Sequence, residues 1–203
     1  MKNKQSRTKH DTSTSCEHLR TALLRAALEQ STASGPDSIS FRELARRLGV
    51  TTAAPYYHFR DKAELLLLLA VEGFSLLLQR LKEASARALT PEEKTAAVIR
   101  AYIEFGRRER GYYGIMFHRD VIRPENIPLL EGPAAICFDL ACSVIAQANP
   151  ALSGSQTFER AIAAWTFLHG MLILSASGPL ARRLAPELEE EFAIRTCNSI
   201  FRN

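Results

Sequence analysis

The residues between Thr51 and Lys62 carry hydroxyl, imidazole and ammonium groups, the side chains that bind nucleic-acid phosphates and base edges. Thr52 can hydrogen-bond either base of a pair, and Ala53 can pack against a thymine methyl group. Thr51 is predicted to cap a short helix, which leaves the other N–H groups of the first turn for a phosphate. The candidates for phosphate contacts are the side chains of Tyr56, Tyr57, His58 and Lys62.

Arg42 precedes this segment, and its guanidinium can reach a phosphate or make a bidentate contact to guanine. A short amphipathic helix must bury one face, so Phe59 is predicted to lie in the core. For Tyr57 the sequence leaves two interpretations open, contact with a phosphate and packing in the core.

Two predicted helices position these side chains. Ser40-Phe41-Arg42-Glu43 is a capping-box pattern, which predicts a helix over Phe41–Leu48. Gly49 can supply the left-handed backbone of a turn, and a second short helix is predicted over residues 52–59. Helix, glycine turn and helix make a helix-turn-helix arrangement, although an ordinary helical hairpin has the same spacing.

Positive charge is concentrated in the first 62 residues. They contain eleven Lys and Arg residues and six Asp and Glu residues. The rest of the chain contains fifteen Lys and Arg residues and sixteen Asp and Glu residues. A domain that faces phosphate groups shows such a bias. A soluble surface behind a basic disordered leader would show it too, so charge alone leaves both interpretations open.

Helical periodicity covers nearly the whole chain of 203 residues, and no stretch alternates apolar and polar residues over strand length. The predicted fold class is therefore all-α. We expect a disordered basic leader (residues 1–13), a helix-turn-helix domain (14–62) whose first helix starts behind Thr14, and a C-terminal helical domain (63–203). In the last of these, helices are predicted from about residues 62, 91, 112, 133, 156 and 186, with a long loop over 119–133.

The run from Thr51 to Leu65, Thr-Thr-Ala-Ala-Pro-Tyr-Tyr-His-Phe-Arg-Asp-Lys-Ala-Glu-Leu, closely resembles the DNA-binding stretch of the tetracycline-repressor (TetR) family of bacterial transcriptional regulators. The resemblance extends over residues 16–67. One departure is the small pair Ala53-Ala54 before Pro55, where other members place varied polar side chains. The resemblance implies a homodimeric repressor that binds a palindromic operator in double-stranded DNA and responds to a small-molecule effector. With no export signal, the four cysteines are predicted to be reduced thiols of a cytoplasmic protein.

Residues 165–170, Trp-Thr-Phe-Leu-His-Gly, resemble the Trp-His-Gly motif of one TetR C-terminal subfamily. Trp165 and His169 share a helix face, and Gly170 permits close approach of a neighbouring helix. These residues either shape an effector cavity or belong to the core, and the same alternatives apply to residues 112–118. An apolar lining would favour a mostly hydrophobic effector. The candidate effector residues are Phe105, Tyr113, Met116, Phe117, Trp165 and His169.

The last two predicted helices, residues 156–175 and 186–201, have apolar faces suited to pairing two copies of the chain in a four-helix arrangement. The residues expected at this contact are Phe158, Ile162, Leu188, Phe192 and Ile200.

Several classes of protein are disfavoured by what the sequence lacks. It has no Gly-rich phosphate loop, HExxH, GxSxG or CxxC motif, so we expect no enzyme activity, cofactor or metal. No export signal is present, and the apolar stretch 161–174 is too short to span a membrane. The rival interpretation is an all-α ligand-binding or catalytic protein that contains a helical hairpin; the basic N-terminal third and the run from Tyr56 to Lys62 argue against it.

Overall fold

The computed structural model describes residues 5–177 and 185–202, together with residues 180, 182 and 183. Within these residues the secondary structure is entirely helical, which confirms the all-α prediction. Short 3₁₀ turns lie at Pro36–Ser38, Ala54–Tyr57 and Pro124–Asn126. The α-helices are α1 (Gln5–Ser34), α2 (Phe41–Leu48), α3 (Lys62–Arg87), α4 (Pro91–Arg108), α5 (Arg110–Met116), α6 (Ile127–Ala148), α7 (Gly154–Ser177) and α8 (Pro186–Arg202).

The chain divides into two compact units at positions that differ from the predicted boundary. Unit 1 holds the described residues up to Ala70 together with residues 111–126, and unit 2 holds residues 71–110 and those from 127 onward. The division therefore falls inside α3 rather than after Lys62. It also places most of α5 with the N-terminal helices, where the Gly111 carbonyl accepts a hydrogen bond from Ser31 on α1.

Gly111 shows how closely α5 approaches α1. The Ser31 hydroxyl donates a hydrogen bond to the Gly111 carbonyl at 3.0 Å. A Cβ atom at Gly111 would lie 2.2 Å from Thr32 Oγ1 and 2.9 Å from the Leu28 carbonyl oxygen. Only glycine fits this contact without displacing the backbone.

Unit 1 has an apolar core to which α1, α2 and α3 all contribute. Its large fully buried side chains include Leu23, Leu44, Phe59 and Leu65, so Phe59 lies in the core as predicted. Helix α1 starts at Gln5, nine residues before Thr14, so residues 5–13 are helical rather than a leader. Residues 1–34 contain neither Gly nor Pro, so this segment has no residue type that commonly ends a helix.

Unit 2 is built on α4, α6, α7 and α8. Helix α4 starts as predicted, with a complete capping box between Thr90 and Glu93. The buried carboxylate of Glu189 on α8 forms an ion pair with Arg107 on α4. Burial raises the pKa of the Cys137 and Cys197 thiols to about 12, so both stay protonated at neutral pH.

Helix α6 differs from its prediction in length and in exposure. It starts at Ile127 and contains Pro133, where the sequence predicted a loop over residues 119–133. Pro133 cannot donate a backbone hydrogen bond, and Leu130, in the turn before it, is buried. By length and composition, Pro128–Ala148 is the one helix in the described chain that could span a membrane, and one such helix is weak evidence for a span. Only 17% of its most apolar window is buried, so much of α6 is exposed in the single chain.

Candidate nucleic-acid interface

The turn between α2 and the following 3₁₀ turn is built by local hydrogen bonds. Ser40 caps α2 by accepting a hydrogen bond from the Glu43 N–H, as the capping-box pattern predicts. Gly49 ends α2 in the left-handed conformation with φ of 66°. Helix and turn thus form where local sequence signals place them.

The second short helix is a 3₁₀ turn over Ala54–Tyr57 rather than an α-helix over residues 52–59. Pro55 has no N–H to donate to the Thr51 carbonyl, which instead accepts from the Ala54 N–H at 3.0 Å. The N-cap position of this turn is Ala53 and not Thr51, so the predicted capping role of Thr51 is wrong.

Buried side chains below the 3₁₀ turn hold it against α2. Pro55 and Phe59 are buried, and the Phe41 ring lies 5.0 Å from Tyr56 and 6.3 Å from Phe59, measured between ring centroids. This apolar base fixes the turn, and the side chains on its other side point into solvent.

Six of the eight predicted DNA-contacting residues have exposed side chains. Tyr57 is 84% exposed, so it does not pack in the core. Tyr56 is 62% exposed although the edge of its ring packs on Phe41. The exposed residues are Arg42, Thr51, Thr52, Ala53, Tyr56 and Tyr57.

His58 and Lys62, the other two predicted residues, are half-buried. The Lys62 ammonium donates a hydrogen bond to the Asp37 carbonyl at 3.1 Å, which ties the start of α3 to the 3₁₀ turn Pro36–Ser38. An ammonium has three donors, so two remain available to a phosphate. The His58 ring packs 6.3 Å from Phe59.

Arg20 on α1 is a further exposed cation that contacts this segment and that sequence reasoning missed. Its guanidinium lies 5.5 Å above the Phe59 ring, and the side chain is exposed. Among the described residues no carboxylate lies within ion-pair distance of Arg20 or Arg42, whereas Arg46 and Arg47 pair with Glu43 and Glu29. No sequence signal connects Arg20 with Phe59, because 39 positions separate them.

The six predicted effector residues are divided between the two units. Tyr113, Met116 and Phe117 belong to unit 1, where Tyr113 and Met116 are buried. The rings of Tyr113 and Phe117 contact each other with centroids 5.2 Å apart. The structure therefore does not bring the six together in one unit.

Phe105, Trp165 and His169 belong to unit 2. Trp165 is 43% exposed, its indole N–H donates to the Tyr102 hydroxyl at 3.2 Å, and its ring lies 6.1 Å from Phe138. Phe105 is fully buried, and partial burial lowers the pKa of His169.

The predicted close approach at Gly170 is wrong within the described chain. Outside the surrounding turns of α7, no described atom lies within 4 Å of a Cβ placed there, so no neighbouring helix approaches Gly170 closely inside one copy.

Two protein-family models match the chain. Residues 23–69 match the model for bacterial regulatory proteins of the tetR family, and residues 95–197 match the model for the tetracyclin repressor-like C-terminal domain. This chain belongs to the TetR family. It is a DNA-binding transcription regulator and not an enzyme, so the hairpin of residues 41–59 is a helix-turn-helix.

Solved structures similar to this TetR-family chain cover nearly its whole length. A protein of unknown function from Rhodococcus sp. RHA1 has a TM-score of 0.72 and 27% identity, covering 91% of this chain and 94% of that one. The TetR-family regulator PfmR from Thermus thermophilus has a TM-score of 0.66 and 19% identity, covering 89% and 97%. SCO4454, a TetR-family regulator from Streptomyces coelicolor, has a TM-score of 0.69 and 18% identity, covering 92% and 95%. No curated protein matches the sequence.

Proposed function

We propose that this TetR-family regulator is a cytoplasmic repressor that binds a palindromic operator as a homodimer and is released by a small, mostly hydrophobic effector. The observation that carries the DNA-binding part is the exposed surface of Arg42, Thr52 and Tyr57 above a buried apolar base. Exposed donors held by a rigid base are what recognition in a DNA groove requires.

The exposed residues divide into two roles in this proposal. Thr52 and Ala53 face base edges, because they precede the second element of the helix-turn-helix, which enters the major groove. Arg42, at the start of α2, reaches a guanine edge from the first element. Phosphates are bound by the phenol, imidazole and cationic groups around them, to which Arg20 is added. These phosphate-binding residues are Arg20, Tyr56, Tyr57, His58 and Lys62.

The homodimer is supported by an apolar stripe on α7. Phe158, Ile162, Trp165 and Ile173 are exposed at spacings of four, three and eight residues, which places them on one helix face. Leu188 on α8 is exposed as well, while Phe192 and Ile200 are half-buried. A two-fold contact between copies would cover this stripe and would match the symmetry of a palindromic operator.

The effector proposal is confined to unit 2. Tyr102, Phe138 and Trp165 form an aromatic cluster, with His169 one turn beyond Trp165 on the same face of α7. Aromatic rings with a few polar atoms suit a ligand that is mostly hydrophobic. In unit 1, Tyr113 and Met116 are fully packed, and we assign them to its core.

Selection of DNA fragments bound by the full chain, followed by footprinting, tests the proposal. We expect an enriched inverted repeat whose half-sites lie about one helical turn apart, ~34 Å, or a multiple of it. Enrichment of a single unrepeated site would contradict the dimer. Absence of any enriched site would contradict operator binding altogether.

A further inference from the structure

Unit 2 contains an open cleft of about 570 Å³ between α4 and α8, here named the α4–α8 cleft. None of the predicted effector or DNA-contacting residues lines it. Its volume is within the range of small-molecule sites, roughly 300–1,000 Å³, and exceeds what a bare ion needs. The lining residues are Arg100, Glu191, Ile194, Arg195, Asn198, Ser199 and Arg202.

The cleft carries positive charge that the described chain does not neutralise. Arg100 forms an ion pair with Glu190 at 2.6 Å. Neither Arg195 nor Arg202 has a carboxylate within ion-pair distance among the described residues. The Arg195 guanidinium instead lies 5.9 Å above the Phe192 ring, which orients it while leaving its N–H donors unused by that contact.

The cationic side chains share one face of α8. Arg195, Asn198 and Arg202 follow one another at intervals of three and four residues, so they form a continuous stripe along the cleft. Guanidinium, amide and hydroxyl groups together make a wall rich in donors, with Glu191 as the one carboxylate in the lining. Ile194 adds an apolar surface beside them.

We propose that the α4–α8 cleft binds a small organic oxyanion, with Arg195 and Arg202 holding its carboxylate or phosphate group and Ile194 contacting its apolar part. Arginine presents paired donors that match the oxygens of both groups, which makes it the cation best suited to hold them. This site is distinct from the aromatic cluster of Tyr102, Phe138 and Trp165 and does not depend on DNA binding. On α8 the cleft borders the face that carries Leu188 and Phe192, because Arg195 stacks on the Phe192 ring.

Calorimetric titration of the full chain tests this site at constant ionic strength. The probes are hexyl phosphate and hexanoate, which separate the two head groups, and hexyltrimethylammonium as a cation of similar apolar size. We expect saturable binding of at least one anion and none of the cation. Arg195→Gln and Arg202→Gln should each weaken the affinity for the anion about ten-fold, which is the loss expected for a charge-assisted hydrogen bond.

Arg87→Gln is the matched control, because Arg87 is an exposed arginine of unit 2 outside the cleft. It should leave the affinity for the anion unchanged. Equal losses in Arg87→Gln and Arg195→Gln would overturn the proposal, since they would show general screening of charge. Binding of the cation as tightly as the anions, or no saturable binding of either anion, would also overturn it. Circular dichroism of each variant verifies that the fold is retained.

Discussion

At the scale of single residues, the side chains proposed to contact DNA fall into two groups: those that bind phosphates and position the protein, and those that contact bases. Lys62→Ala should weaken binding to all duplex sequences about equally and lower the salt slope by about one, because a phosphate contact carries no base information. Thr52→Val should instead change sequence preference and leave the salt slope unchanged. Binding to operator and random duplex across a salt series measures both effects.

Lys82→Ala is the control for these variants, since Lys82 is exposed on the same helix but belongs to unit 2. Lys82→Ala should change neither the salt dependence of DNA binding nor the preference for the operator sequence. An unchanged salt slope in Lys62→Ala would assign the Lys62 ammonium to its hydrogen bond with Asp37 alone.

The Asp37 side chain gives unit 1 a pH-dependent contribution to stability. A hydrogen bond from the His118 imidazole, 3.2 Å long, holds the pKa of the Asp37 carboxyl below its usual 3.8, and the charges of His118, Arg119 and Lys62 add to the effect. A carboxyl whose pKa is lowered by folding stabilises the folded state above its unfolded pKa, and loses that contribution as the pH falls through its folded pKa.

Asp37→Asn should therefore lower the urea midpoint at pH 6 and leave it nearly unchanged once the pH is below the folded pKa of Asp37. Urea unfolding at several pH values checks this. Adding His118→Asn to Asp37→Asn should cost less than His118→Asn alone, because the two groups contact each other. If His118→Asn destabilised the wild-type protein and the Asp37→Asn protein equally, the two side chains would contribute to stability independently.

At the scale of elements, the packing of α5 on α1 depends on Gly111. Gly111→Ala should lower the free energy of unfolding by about 1–3 kcal/mol, because its Cβ would collide with the Leu28 backbone and Thr32. Gly170→Ala is the matched control: it lies inside α7, has free space around it, and should be neutral or stabilising by up to ~1 kcal/mol. Equal destabilisation by the two variants in denaturant unfolding would contradict the close approach of α5 to α1.

At the scale of the whole molecule, the exposed stripe on α7 makes the oligomeric state testable. Ile162→Glu should convert the dimer to a monomer at micromolar concentration and weaken operator binding, because it places a charge within an apolar contact. Leu89→Glu is the control, since Leu89 is 90% exposed in unit 2 away from that stripe. Sedimentation velocity measures the oligomeric state of both variants. A dimeric Ile162→Glu protein would show that the contact between copies does not involve the stripe on α7.

The sequence by itself determined the features that rest on contacts within a few residues. The helical class, the caps at Ser40 and Thr90, and the left-handed end of α2 at Gly49 all follow from hydrogen bonds along a single element. The DNA-binding run from Thr51 to Leu65 was also recognisable, because its side-chain types lie together in the chain.

Only the tertiary structure decided how these elements pack and which side chains stay exposed. It placed Tyr57 in solvent, set Arg20 above Phe59 and joined α5 to α1 through Ser31 and Gly111. These outcomes depend on residues that lie tens of positions apart, and a local pattern cannot encode which distant surface covers a given face. The same reason explains the α4–α8 cleft: its arginines lie on two helices that only packing brings together.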